Sequence, residues 1–423
     1  MGATNSVPEQ IADELSKAVR EYGLAFVMVA SYFGSGSVFI ASQAGVMHGY
    51  TLLWAVVGAV LLGIMAQDMS ARLGIHGEPL MVFVRRKLGR VPATGIAVFL
   101  SIGCIAWCLG LVAAVGAGVS FLTGGTIAWQ PVAIVTTVLA IGVGLLDYQR
   151  IEQLMVVMMV SLMVLYLVVA GPSNPDLGAV ALGFVPTSDA LGALTIAAGL
   201  LGTTALWPNF FLESILVEEK GWADESDVSN ARRDLTIGFT VGGITTVAIL
   251  IVAAAILRPM GYTELESFIT PGEALVEVLG TWAMVLFVAG VTVAAFNSII
   301  PIMWTPAYIV PQAMDIDVDQ GTRAFKLVFV AVTATGFASP LVSHLLDLQV
   351  VDMVILFPTY NGIFGLPLAA LLLYWAVNDR ETMGQHRNTT ALNVVNAFLV
   401  LLAFILAVFA AQDFLEVLFG GGF

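Results

Sequence analysis

Ala30-Ser31-Tyr32-Phe33-Gly34-Ser35-Gly36-Ser37 lies inside an apolar run that extends over residues 23–46. Each glycine in a helix interior costs about 1 kcal/mol, and serine hydroxyls can satisfy the backbone groups that a break sets free. A second apolar run carries Gly202-Thr203-Thr204-Ala205-Leu206-Trp207-Pro208-Asn209. There Pro208 removes one backbone donor and clashes with the preceding turn. Both stretches read as helices interrupted near their middles.

The rest of the chain explains where such helices sit. Of the 423 residues 59% are apolar and 11% are charged, against roughly 25% charged in a soluble domain. Mean hydropathy is +0.94. These values exclude a soluble globular protein, a disordered chain and a nucleic-acid binder. Continuous apolar runs, rather than alternating ones, exclude an outer-membrane barrel. The fold class is therefore an all-α polytopic membrane protein. Eleven runs are long enough to cross a bilayer: about 23–46, 49–70, 92–122, 130–147, 152–171, 190–218, 235–257, 273–310, 322–343, 350–377 and 390–418. We number these spans one to eleven. Spans three and eight exceed the bilayer thickness and are expected to tilt or project beyond it.

Basic residues orient the chain. With the N-terminus inside, the inner links hold fifteen of the sixteen, and only Arg258 falls outside. The C-terminus then lies outside, and the expected location is the plasma (inner) membrane. Residues 1–22 show Ile11, Leu15 and Val19 at helical spacing among charges, as in a cytoplasmic amphipathic helix lying on the membrane surface. The net charge of −14 with only four lysines fits either a salty cytoplasm or compositional drift. Cys104 and Cys108 are four apart on one helical face and read as small packing residues.

Spans one and six open two successive five-helix sets, residues 23–171 and 190–377, followed by an eleventh span at 390–418. Interrupted helices at matching positions of two halves point to a transporter site at the repeat interface, because unwound backbone at that depth must line a cavity.

At these residues the chain resembles the NRAMP family of divalent-metal transporters. Gly49-Tyr50-Thr51-Leu52-Leu53-Trp54 and Ser70-Ala71-Arg72-Leu73-Gly74-Ile75 are similar to that family's second span. Tyr148-Gln149-Arg150-Ile151-Glu152 resembles its fourth-span end, Gly199-Leu200-Leu201-Gly202 its entry to span six, and Met383-Gly384 with Asn388 its last link. The resemblance implies a LeuT-type fold: two inverted five-helix repeats plus one extra helix, with spans one and six broken. It also implies secondary transport by alternating access. The site residues depart from the family. Its Asp-Pro-Gly-Asn falls on Gly34-Ser35-Gly36-Ser37, and its Met-Pro-His on Leu206-Trp207-Pro208-Asn209. The acidic pair of its third span falls near Cys108 and Leu111, its later span-six histidine on Glu213, and its span-ten glutamine near Thr359, beside Tyr360 and Asn361.

A dehydrated divalent cation needs carboxylate or dense carbonyl ligands. The candidates here are Ser31, Ser37, Asn209, Asn361, the carbonyls freed by the breaks, and Glu213, with Ser37 and Asn209 as the candidate metal ligands. Such a set suits a hydrated Mg²⁺-like or Mn²⁺-like ion better than the family's usual transition-metal, proton-coupled mode. The Gly34-Ser35-Gly36-Ser37 break also resembles that of amino-acid transporters in the same superfamily, so a small organic solute such as an amino acid or carboxylate is the alternative substrate. A non-transporting receptor or scaffold is a third reading. Intramembrane carboxylates are functional by default, which makes Glu213 a candidate carrier of a coupling H⁺ or Na⁺, or else a group in an inner vestibule. Asn297 and Ser298 are candidate cation ligands. Asp68 and Arg72 read as an ion pair at a helix end. The expected partners are the small solute or cation and the lipid bilayer. No nucleotide loop, cofactor motif or catalytic constellation is present, so no enzyme and no cofactor are expected.

Overall fold

The structure, a computed structural model, describes residues 22–187, 193–354 and 361–419. The expected surface helix at residues 1–22 therefore lies outside the described residues apart from Tyr22, as do Thr359 and Tyr360. All regular structure among the described residues is helical.

Span one is two helices, Leu24–Tyr32 and Ser35–His48, bent by 64° at the break. Six further helices are long and apolar enough to cross a membrane: Leu53–His76, Arg90–Leu122, the Tyr148–Ser173 stretch, Glu225–Leu257, Thr281–Ala313 and Arg323–Leu346. Length and composition thus establish six crossings, or seven with the bent pair. The other spans expected from the sequence hold helices at Trp129–Gly144, Leu194–Thr204 with Trp207–Leu216, Leu366–Asn378 and Thr390–Phe419. The eighth run is not one over-long helix. It divides at Gly280, whose φ of +91° ends a short helix, Thr270–Leu279, before the long one starts.

Faces sort as a bilayer requires. On Tyr148–Ala170 one side, with Met155, Met159, Leu162 and Tyr166, is buried, while Val157, Val164 and Val168 are about half exposed and still apolar. Apolar outward surface is stable only where lipid replaces water. The core is held by close helix approach. A Cβ added at Gly238 of span seven would sit 2.6 Å from the Ala25 Cβ, and one at Gly242 would sit 2.2 Å from the Tyr32 hydroxyl. Small residues one turn apart thus seat the first half of span one directly against span seven. Cys104 and Cys108 are buried free thiols, as the packing reading expects. The Cys108 Sγ lies 3.9 Å from the Thr333 carbonyl.

Candidate functional site

The break in span one frees carbonyls at the end of Leu24–Tyr32, and side chains take them up. Met28 O accepts from the Asn209 Nδ2 at 2.9 Å, with the Ser31 Oγ at 3.0 Å. Ala30 O accepts from the Ser298 Oγ at 2.6 Å. Tyr32 O accepts from the Ser37 Oγ at 2.5 Å. The Ser31 Oγ also contacts the Asn209 Oδ1, joining span one to span six. Four residues expected as ligands are therefore first of all caps for broken-helix carbonyls. Each donating hydroxyl keeps its own lone pairs, so the serine oxygens can still face a cation.

Span six breaks at Ala205-Leu206, with Leu206 extended at φ −78°, ψ 120°. Pro208 follows the break, and Thr204, four residues before it, is where the first helix of the span ends. The proline sits in the first turn of Trp207–Leu216, where a missing N–H costs nothing and the fixed φ favours helix initiation. The Trp207 side chain is buried away from the break. It meets Phe211 edge-on at 6.0 Å, and a Cβ at Gly365 would come 2.3 Å from its Nε1.

Between the two breaks lies a cavity of about 40 Å³. At on the order of 10–15 Å³ per water, it has room for a few waters. Of the residues named from the sequence, Ser31, Gly34, Ser35, Gly36, Ser37, Leu206 and Ser298 line it. Trp207, Pro208, Asn209, Asn297 and Glu213 are not among its lining residues. Asn209 reaches it only through Ser31. Asn297 turns the other way, its Nδ2 lying 3.1 Å from the Met159 Sδ, and its Oδ1 has no partner among the described residues. Asn361 begins a short π-helical turn, Asn361–Gly365. Trp107, Thr203 and Met353 line the cavity without having been singled out as ligands. A single Met in an apolar run carries no signal of its own, yet it supplies a thioether beside the break. No carboxylate lines the cavity among the described residues.

The carboxylates lie elsewhere in the buried core. Glu213 is fully buried, not in an open vestibule, and neither oxygen has a hydrogen-bond partner among the described residues. The Asp234 Oδ2 accepts from the Ala25 N at 2.7 Å, which fixes the start of span one. The Glu152 carboxylate pairs with the Lys220 Nζ at 2.9 Å, with both side chains under 5% exposed. Asp68 pairs with Arg72 at 3.1 Å and with Arg232 at 2.6 Å, while Arg72 donates to the Asn388 Oδ1 at 2.6 Å. The expected helix-end pair is thus a largely buried node, reached from the solvent side by the half-exposed Arg232, that joins spans two and seven to the link before span eleven. In the loop after span six, burial first, then Asp319 and Glu218, raises the Glu219 carboxyl above the usual carboxylate range.

Comparison with known proteins is consistent with this geometry. The chain is 29% identical over 395 residues to the divalent metal cation transporter MntH of Aeromonas hydrophila, covering 90% of this chain and 92% of that one. To MntH of Yersinia enterocolitica it is 26% identical over 385 residues, covering 90% and 91%. Among solved structures, a variant of the Eremococcus coleocola manganese transporter superposes with a TM-score of 0.77 at 18% identity, over 96% of this chain and 89% of that one. A nucleobase-cation-symport-1 family transporter in a closed conformation superposes with a TM-score of 0.61 at 13% identity, over 94% and 93%. These matches establish the LeuT-type fold that the broken spans suggested. The model of the family described as natural resistance-associated macrophage protein-like matches residues 25–411, and the chain belongs to that family, the Nramp membrane transporters.

Proposed function

We propose that the chain carries a divalent cation, Mg²⁺-like or Mn²⁺-like, across the inner membrane by alternating access, and that the cation keeps part of its water shell at the break. The supporting observation is the cavity itself, where the Ser31, Ser35, Ser37 and Ser298 hydroxyls and the helix-end backbone lie among Trp107, Leu111, Ile302 and Met353, with no carboxylate among its described lining residues. Neutral oxygens compensate the dehydration of a small divalent ion poorly, whereas a hydrated Mg²⁺ accepts neutral partners through its waters. The two MntH relatives named above are divalent metal cation transporters, which favours a metal over an organic solute. Ser37, Ser31 and Ser298, with Asn209 behind them, hold the hydrated ion. Glu213, buried with unpartnered oxygens, carries the coupling proton or cation. The eleven spans form two inverted repeats, with the N-terminus cytoplasmic and the C-terminus outside, as the basic residues of the links require.

The test is reconstitution in liposomes with Mg²⁺, Mn²⁺ and amino acids assayed side by side. Metal uptake is expected, lowered about 10-fold or more by Ser37→Ala or Asn209→Ala, with coupling to a proton or Na⁺ gradient lost in Glu213→Gln. Amino-acid uptake without metal flux would overturn the substrate. Coupling unchanged in Glu213→Gln would remove that residue's role.

A further inference from the structure

A second group of ligating side chains lies away from the break, where three distant segments meet. His76 is the last residue of Leu53–His76. Glu225 is the first residue of Glu225–Val252. His386 ends the 3-10 turn Gly384–His386 in the link before span eleven. The Glu225 Oε2 lies 3.4 Å from the His76 Nε2 and 3.0 Å from the His386 Nδ1. The two imidazoles stack with centroids 3.9 Å apart and planes 14° off parallel. One ligand atom from each of the three residues falls within 4.8 Å of the others.

We propose that His76, Glu225 and His386 form a binding site for a divalent transition-metal ion, separate from the membrane-embedded break and independent of the transport reading above. Two imidazole nitrogens on one ion stand about 3.3–4.1 Å apart, given metal–nitrogen bonds near 2.0–2.1 Å. In the present stack no nearby point lies in both ring planes, so His386, on its partly exposed turn, swings its ring out of the stack to aim the Nδ1 at an ion held by His76 and Glu225. The ligand types select the metal. Two imidazoles and one carboxylate suit Zn²⁺, Co²⁺, Ni²⁺ or Fe²⁺ and reject Mg²⁺ and Ca²⁺, which require oxygen shells. The Glu225 side chain is 72% exposed, so the remaining coordination positions open to water. His76 is held more tightly, its side chain 8% exposed. On the far side of His386, the Gln385 amide lies 3.3 Å from the Nε2. Turned over, that amide offers its oxygen to the Nε2 proton and orients the ring for ligation through the Nδ1, as second partners of metal-bound histidines do. Asp224 and Asp227 add negative charge in the same helix turn. The opposing charge, Arg72, is engaged with Asp68 and Asn388. A bound ion would cross-link the ends of spans two and seven to the link before span eleven, beside the Arg72–Asn388 contact that already joins span two to that link.

The alternative is a histidine–glutamate cluster with no affinity for metal, and the test separates the two. The full chain in detergent is titrated with Co²⁺, whose visible absorption reports histidine ligation. The expected result is a Co²⁺ site that Zn²⁺ displaces and Mg²⁺ does not. His386→Ala, on a half-exposed turn, should abolish that signal, and Glu225→Gln should weaken binding by about 10-fold or more. Asn209→Ala serves as the control and should keep the signal, since it alters only the break. No Co²⁺ absorption in the native chain, or an identical spectrum and stoichiometry in His386→Ala, would overturn the site.

Discussion

The break at mid-span and the buried charges beyond it solve the same problem in opposite ways. At the break, unpaired carbonyls are satisfied by neutral donors: Ser31, Ser37, Ser298 and Asn209. In the charged layer, Glu152, Lys220, Asp68, Arg72 and Arg232 are satisfied by one another. Rotating a neutral cap costs little, because a hydroxyl can change acceptor by turning about one bond. A buried ion pair cannot be opened without leaving a charge unpaired. The adaptable groups therefore surround the cavity, and the inflexible ones brace the helices around it.

The strongest way to break this contrast is to remove one member of a buried pair. Lys220→Met leaves the Glu152 carboxylate, at 3% side-chain exposure, without its cation. It should lower stability by about 3–5 kcal/mol, read as thermal unfolding in detergent. Adding Glu152→Gln should restore most of that loss, and a native-like melting curve for Lys220→Met alone would dissolve the distinction. A smaller effect is expected at the break. A Cβ at Gly34 comes 2.9 Å from the Ser298 Oγ, whereas at Gly36 the nearest neighbour is the Val354 carbonyl at 3.7 Å. Gly34→Ala should displace the Ser298 hydroxyl from Ala30 O and cost about 1–3 kcal/mol. Gly36→Ala should be neutral or better, since alanine is the stronger helix former. Equal losses at both positions would show that the cap at Ala30 contributes nothing.

The smallest effect concerns pH at the outer edge of the charged layer. Asp379, in the link after span ten, pairs with the Lys87 Nζ at 2.9 Å. Burial works to raise its carboxyl, but hydrogen bonds from Lys87 and Thr382 outweigh it and hold the group at about 2, below its ordinary 3.8. The folded value is depressed, so the pair contributes fully above pH 3.8 and its contribution is lost as pH falls toward 2. Hydrogen-exchange protection in residues 379–388, taken relative to the intrinsic rate at each pH, should fall over that window and be unchanged from pH 5 to 7. An equal change in Asp379→Asn would assign it to another group.

How much of this was legible depends on the range over which each residue acts. The bend at Phe33–Gly34 was readable because glycine and serine in an apolar run are local signals. Pro208 marked the interruption of span six, while its place in the first turn of the second helix follows from where the chain restarts. Glu213 stood out by charge alone, although its complete burial depends on the helices packed around it. Thr203 and Met353 reach the cavity only because separate spans converge there. Nor did any spacing relate His76, Glu225 and His386, which lie on three segments far apart in the chain.

The bare stretch of span seven at Gly238 and Gly242 has a mechanical consequence. Interlocked side chains act as teeth, and a helix seated among them must lift before it can travel. At these two positions span seven offers no tooth to the first half of span one, while Phe239 against Tyr32 and Asp234 at the Ala25 N–H grip it alongside. That half therefore sits on a smooth seat between two fixed contacts, and those contacts, rather than the seat, are what any movement of it has to release.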